Sequence, residues 1–183
     1  MRFAYADPPY PGCAHLYPEK REVDHAELIA RLVAEYPDGW ALSTSSVALK
    51  QVLALCPDGV RVGAWVKPFC AFKPNVNPAY AWEPVIFTGG RRRTRRQETT
   101  RDYVSAGITL RRGLVGAKPE AFCFWLFDLL NIEDGDELHD LFPGTRAVSK
   151  ALALWLRQRP LPLVASPASR TASSSAPGGP TDG

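Results

Sequence analysis

The sequence predicts an α/β domain whose mostly parallel sheet is flanked by helices, and three observations carry that expectation. Short apolar runs suited to buried strands alternate with helix-period stripes from Arg2 to Val66. Each run is closed by Pro, Gly or Ser-rich breakers. The 183 residues, 45% of them hydrophobic, are enough for one core with room for an appendage, but not for two full domains.

Arg2 to Ala6 is an apolar run stopped by Asp7-Pro8-Pro9, because proline has no N–H to give to a ladder. Leu28, Ile29, Leu32, Val33 and Tyr36 have helical spacing, and Asp24 with Glu27 three residues on resembles a capping box, which predicts a helix from about His25 to Tyr36. Asp38-Gly39 breaks the chain before a strand at Trp40 to Leu42 that empties into Ser43-Thr44-Ser45-Ser46. Val47 to Leu55 reads as a helix and Val60 to Val66 as a strand. Lys67 to Tyr80 carries Pro68, Pro74 and Pro78 without a period and reads as a loop or a small recognition insertion. Trp82 to Thr88 resumes as a strand, placed at a sheet edge by Pro84. Pro119 suits a helix start, and Phe122, Trp125, Leu126, Leu129 and Leu130 form a wide apolar stripe behind it. Gly135 precedes a last strand, Glu137 to Phe142. A turn at Pro143-Gly144-Thr145-Arg146 leads into a helix from Ala147 to Arg157.

These readings give a domain over residues 1–159, with a recognition loop and basic insertion at 67–118. A Pro/Ser/Gly-rich tail over 160–183 is too poor in apolar surface to fold. The start of the chain lacks the basic and apolar regions of a secretory signal, and no run of eighteen apolar residues appears, so a soluble cytoplasmic protein without a membrane partner is expected. Cys13, Cys56, Cys70 and Cys123 show no C-x-x-C pair, and His15, His25 and His139 no i, i+4 pair. Reduced thiols and no metal site are expected.

The net charge of +3 hides an asymmetry. From Arg91 to Lys118 nine basic residues face only Glu98 and Asp102, a local +7 that leaves −4 for the rest of the chain. Arg91, Arg92, Arg93, Arg95, Arg96 and Arg101, with Arg111 and Arg112 beyond them, are of a density that would neutralise nucleic-acid phosphates. The same segment also reads as a solvated charged loop, without apolar periodicity until about Ile108 and mobile until something binds it.

Asp7-Pro8-Pro9-Tyr10 follows an apolar strand, where α/β sheets place their sites. The exocyclic amine of adenine or cytosine is a poor nucleophile because its lone pair is delocalised into the ring. A carboxylate and a proline carbonyl, each accepting one N–H, hold that nitrogen pyramidal while it attacks a methyl sulfonium, and Tyr10 can stack on an extruded base. The tetrapeptide also reads as a plain proline-rich turn. Asp140-Leu141-Phe142-Pro143-Gly144-Thr145-Arg146 is a second strand–turn–helix junction. Its backbone amides suit a ligand carboxylate, and Asp140 suits an α-ammonium group.

Asp7 to Tyr10, then Lys118-Pro119 opening a helix, then Gly-Asp-x-x-x-Asp-x-Phe-x-Gly from Gly135 to Gly144 occur in that order. The arrangement resembles the circularly permuted adenine-N6 methyltransferases that use S-adenosylmethionine, over about Phe3 to Leu154. Trp82 to Phe87 looks like that family's strand near the target-base pocket. The resemblance implies a Rossmann-like methyltransferase sheet in permuted motif order. It implies Asp7, Pro8, Pro9 and Tyr10 as catalytic residues around the target amine. It puts Asp7, Lys118, Asp140, Phe142 and Gly144 around the cofactor, with Thr44 and Ser45 at neighbouring strand ends. The implied activity is adenine-N6 methylation of nucleic acid, DNA in preference to RNA. The short recognition region leaves room for a homodimer or a partner methyltransferase subunit. Arg146 stands where the family has a second glycine: pointing inward it repels the sulfonium but can pair with the carboxylate, pointing outward it leaves the pocket with reduced affinity. The stretch Arg157 to Val164 holds no acid for ribose. The alternative function is a catalytically impaired methyltransferase-like protein that binds nucleic acid or serves an active partner.

Overall fold

The computed structural model describes residues 1–17, 20–69, 75–108 and 117–158. Cys70, Arg111, Arg112 and the expected tail from 160 lie outside the described residues. The strands are β1 (Arg2–Ala6), β2 (Gly39–Ser43), β3 (Arg61–Val66), β4 (Trp82–Gly89), β5 (Tyr103–Ser105) and β6 (Glu137–Asp140). The helices are α1 (His25–Glu35), α2 (Leu49–Leu53), α3 (Glu120–Leu130) and α4 (Ala147–Gln158).

Among the described residues six strands form one sheet in the order β5-β3-β4-β2-β1-β6. Five run in one direction, and β4 is reversed, antiparallel to both β2 and β3. Side chains alternate across a strand, so successive residues feed opposite cores. Phe3, Tyr5, Ala41, Val85 and Phe87 pack with Phe122, Leu126 and Phe127 of α3 and Val148 and Ala151 of α4. Ala4, Ala6, Trp40, Leu42 and Ile86 pack with Leu28, Ile29 and Leu32 of α1 and Val52 of α2. Both faces of the sheet are therefore covered. Each large side chain so buried contributes about 1.5–3 kcal/mol.

Local chemistry sets the ends of the elements. Asp24 caps α1 by accepting from the Ala26 and Glu27 amides at 2.9 and 3.1 Å. Asn131 ends α3 in the left-handed conformation, φ 49°. The start of β2 and the end of β4 approach so closely that a Cβ on Gly39 would stand 2.5 Å from the Gly90 nitrogen and one on Gly89 2.6 Å from the Asp38 oxygen.

Three expectations are corrected. The strand containing Pro84 is central, not at an edge. The Pro84 carbonyl accepts from the Thr44 amide, so its missing N–H also falls on the β2 side, beyond Ser43 where that strand has ended, and no ladder bond is lost. Tyr103–Ser105 forms an edge strand inside the segment expected to lack structure, held by the Trp125 indole donating to the Arg101 carbonyl at 2.9 Å and by pairing with β3. Within the expected helix from Val47 to Leu55, the α-helix proper is α2, and the Ser45 hydroxyl accepts from the Ala48 amide just ahead of it at 3.1 Å. Among the described residues no helix is long and apolar enough to cross a membrane.

Candidate active site

The direction of each strand decides which residues can meet. β1, β2, β3 and β6 all end at one edge of the sheet, and the reversed β4 begins there. That edge collects Asp7 after β1, Lys67 after β3, Glu83 at the start of β4 and Asp140 at the end of β6. Lys118 joins them from the residue before Pro119, the N-cap of α3.

Lys118 is 8% exposed and its Nζ lies 3.0 Å from Asp7 Oδ1 and 3.3 Å from Glu83 Oε2. Lys67 donates to Glu83 Oε1. The Tyr10 hydroxyl donates to Glu83 Oε2 at 3.0 Å and reaches Asp7 Oδ1 at 3.5 Å. Both ammonium groups sit over the Trp65 ring, at 5.3 Å for Lys118 and 4.9 Å for Lys67. Two carboxylates and two ammonium groups thus balance in a half-buried cluster, as charges withdrawn from water require.

Burial pushes the Asp7 carboxyl above the ordinary aspartate range, against the opposing pull of Lys118. Burial also acts to raise Glu83, but Lys118 and Lys67 outweigh it and hold that carboxyl below its usual range. For Lys118 burial works downward, and the carboxylates of Asp7 and Glu83 reverse the sign and raise it. The cluster consequently keeps Lys118 charged and makes Asp7 the more proton-avid of the two acids.

Beside the cluster lies a cavity of about 910 Å³, lined by Tyr5, Asp7, Pro9 and Lys118 on one side and by Asp140, Phe142, Gly144, Thr145 and Ala147 on another. Tyr5 and Asp140 are partners across the β1–β6 ladder, which makes the two strand ends neighbours. Asp140 Oδ1 accepts from the Phe142 amide at 3.3 Å. Burial chiefly pushes the Asp140 carboxyl up to about 6, the Phe142 amide opposing and the Asp7 charge adding to the rise. A carboxyl so placed gains from a cation delivered beside it.

Arg146 takes the left-handed conformation, φ 58°, that a glycine adopts freely. Its side chain is exposed and does not line the cavity. The backbone thus keeps a glycine-like turn while the guanidinium points to solvent. Gly144 is also exposed, with φ 41°.

The structure brings together Asp7, Pro9, Lys118, Asp140, Phe142 and Gly144 around one cavity. Tyr10 lies on its Asp7 side, hydrogen-bonded into the charge cluster. Lys118 stands against Asp7 rather than beside Asp140. Thr44 and Ser45 are not among the cavity's lining residues: the buried Thr44 bonds its amide to Pro84, and Ser45 serves α2. Sequence reading passed over Glu83 and Lys67. The available signal was a glutamate within the otherwise apolar run Trp82 to Phe87, a costly residue on a strand buried on both faces unless it is paired.

The basic segment is divided by the fold. Because β4 runs backward, it delivers Gly90 and Arg91 to the amino edge of the sheet, about 15 Å from Asp7 along a five-residue strand. There Arg91 Nη2 makes a fork to Asp136 at 2.6 and 2.9 Å, and its Nε lies 3.2 Å from Glu133. Arg93 donates to the Asp128 carbonyl and to the Glu98 carbonyl. Arg92, Arg95, Arg96 and Arg101 are exposed, Arg101 resting on the Tyr103 hydroxyl at 3.3 Å. The expectation of a segment free until bound is thereby corrected for Arg91 and Arg93, which fasten it.

The mostly parallel sheet of six strands among the described residues, with helices on both faces, is a Rossmann-like α/β fold, shared with the solved structures that follow. Among solved structures the chain is similar to the M1.HpyAVI–SAM complex, with a TM-score of 0.59 and 14% identity over 85% of this chain and 78% of that one. It is similar also to M1.HpyAVI, with a TM-score of 0.56 and 15% identity over 85% and 77%. No family model and no curated protein sequence matches the chain.

Proposed function

We propose that the chain is an S-adenosylmethionine-dependent adenine-N6 methyltransferase acting on nucleic acid, DNA in preference to RNA. The observation that carries this reading is the placement of Asp7 to Tyr10 at the end of β1, with Asp7 on the same cavity as Asp140 one strand away. M1.HpyAVI, similar in fold, has been crystallised with SAM, which supports the choice of cofactor.

The residues present fit that cofactor. Asp140, with its raised carboxyl, suits the α-ammonium group, the turn from Gly144 into α4 suits the carboxylate, and Arg146 leaves the space clear. When bound, S-adenosylmethionine supplies a methyl group on a sulfonium, ready for direct transfer. No metal is called for by this chemistry.

The chain's own part is to bind and orient the amine. The Asp7 carboxylate and a proline carbonyl of the Pro8-Pro9 pair each accept one N–H, which draws the nitrogen lone pair out of ring conjugation. Tyr10 offers its ring to the extruded base. Asp7, proton-avid from burial, takes the proton that the amine sheds on methylation. Arg92, Arg95, Arg96 and Arg101 supply phosphate contacts at the opposite edge of the sheet, where Arg91 and Arg93 anchor the segment.

Calorimetric titration of the full chain with S-adenosylmethionine tests the reading at its base. A dissociation constant on the order of micromolar, weakened about tenfold or more by Asp140→Asn, is expected. Absence of binding at millimolar cofactor would overturn it.

A further inference from the structure

Resting on that reading, we propose that Glu83 is a positioning residue for the target amine, fixing the Lys118 ammonium and the Tyr10 hydroxyl around Asp7. Three donors converge on this one carboxylate from three separate parts of the chain: Lys67 on Oε1, and Lys118 and Tyr10 on Oε2. One oxygen is enough to hold Lys67. The other faces the loop that carries Asp7, and both of its donors also reach Asp7, at 3.0 Å for Lys118 and 3.5 Å for Tyr10. Glu83 and Asp7 therefore share two donors and are coupled through them.

The geometry gives Glu83 two tasks. It fixes the Tyr10 hydroxyl, and through it the plane of a ring that must meet a base. It also draws Lys118 partly away from Asp7, so that the Asp7 carboxylate keeps lone pairs for an incoming N–H instead of closing fully on the ammonium. Glu83 is delivered by the reversed strand β4, whose first residues lie at the carboxyl edge. Glutamine cannot substitute, because its amide would turn an N–H toward either the Lys67 or the Lys118 ammonium, neither of which can accept it.

The test compares the wild-type chain with Glu83→Gln and Glu83→Asp in two measurements. In the first, methyl transfer to an adenine-containing oligodeoxynucleotide is followed alongside cofactor titration. Glu83→Gln should lower kcat about 10²-fold while the cofactor dissociation constant stays within about threefold, and Glu83→Asp should recover part of the loss. In the second, the Asp7 carboxyl is titrated by carbon NMR without cofactor or nucleic acid. The groups facing it are Lys118 at the start of α3, Glu83 on β4, Tyr10 and Tyr17 from its own loop, Tyr5 on β1 and Asp140 on β6. Loss of the Glu83 charge should move the Asp7 midpoint down, because that charge holds it up.

An unchanged kcat in a folded Glu83→Gln chain overturns the proposal, as does an unmoved Asp7 titration. If Glu83→Gln does not fold, Glu83→Asp carries the kinetic measurement, and a kcat equal to that of the wild-type chain then overturns the proposal. A wild-type chain that binds cofactor but methylates no adenine overturns the functional reading alone, and the Asp7 titration still decides the coupling.

Discussion

Lys118 Nζ stands 3.0 Å from Asp7 Oδ1, one residue before the N-cap of α3 and one residue after the end of β1. The pair ties together two motifs from opposite halves of the chain. Lys118 is buried, so its charge depends on both acids beside it. Replacing Lys118 by Met should cost about 3–5 kcal/mol of stability, since it strands the Asp7 carboxylate and leaves Glu83 with Lys67 alone. Asp7→Asn leaves Lys118 its Glu83 partner and removes a carboxylate whose ionised form burial disfavours, so it should cost less than Lys118→Met. Urea denaturation of both variants checks the order.

The raised Asp140 carboxyl makes cofactor affinity depend on pH. A carboxyl near 6 is largely protonated at pH 5 and ionised at pH 7.5, and only the ionised form attracts an α-ammonium group. Affinity should therefore rise as pH passes about 6, and Asp140→Asn should flatten the curve. The sign for stability is opposite. A carboxyl whose folded value is raised favours the folded state when protonated and disfavours it when ionised. Asp140→Asn should accordingly raise Tm at pH 7.5, with the advantage shrinking as pH falls through 6. Calorimetry across pH 5 to 8 measures both effects.

Arg146 supplies a third test. Its φ of 58° costs a residue with a Cβ something that glycine avoids, and its side chain points to solvent. Arg146→Gly should leave cofactor affinity within about threefold and change stability by about 1 kcal/mol or less. Rescue of binding by glycine in a chain that otherwise fails to bind would show that the arginine obstructs the pocket.

The arginines separate into two groups. Substituting Arg92, Arg95 and Arg96 by Ala should leave Tm unchanged and lower nucleic-acid affinity uniformly across sequences, with the salt slope reduced by about 1 for each phosphate left without its arginine. Arg91→Ala should instead destabilise, by about 1–3 kcal/mol, because Asp136 is only 2% exposed and loses its bidentate partner. Fluorescence anisotropy against salt and thermal melts distinguish the two.

Much of this was legible in the chain. The apolar runs at Arg2–Ala6, Gly39–Ser43 and Arg61–Val66 and the stripe of α3 announce themselves by period, and Asp24 caps α1 where its spacing with Glu27 puts it. The position and direction of β4 were not legible, because a two-residue period looks the same read either way and Pro84 argued for an edge. That one reversal decides two other matters: it brings Glu83 to Asp7, and it carries Arg91 to the far edge of the sheet. β5 was hidden because three residues with only Val104 partly covered show no pattern. The Arg91–Asp136 pair spans 45 residues, a separation at which charge alone names no partner.

If Asp7 holds an adenine amine for methylation, the modified base itself will report it. The full chain is incubated with methyl-labelled S-adenosylmethionine and DNA of mixed sequence, the product is digested, and the labelled nucleoside is identified by mass spectrometry. The expected label is in N6-methyl-2′-deoxyadenosine, and it is lost in Asp7→Asn while that variant still binds the cofactor. Label on another base, or undiminished adenine methylation by Asp7→Asn, would contradict the role given to Asp7.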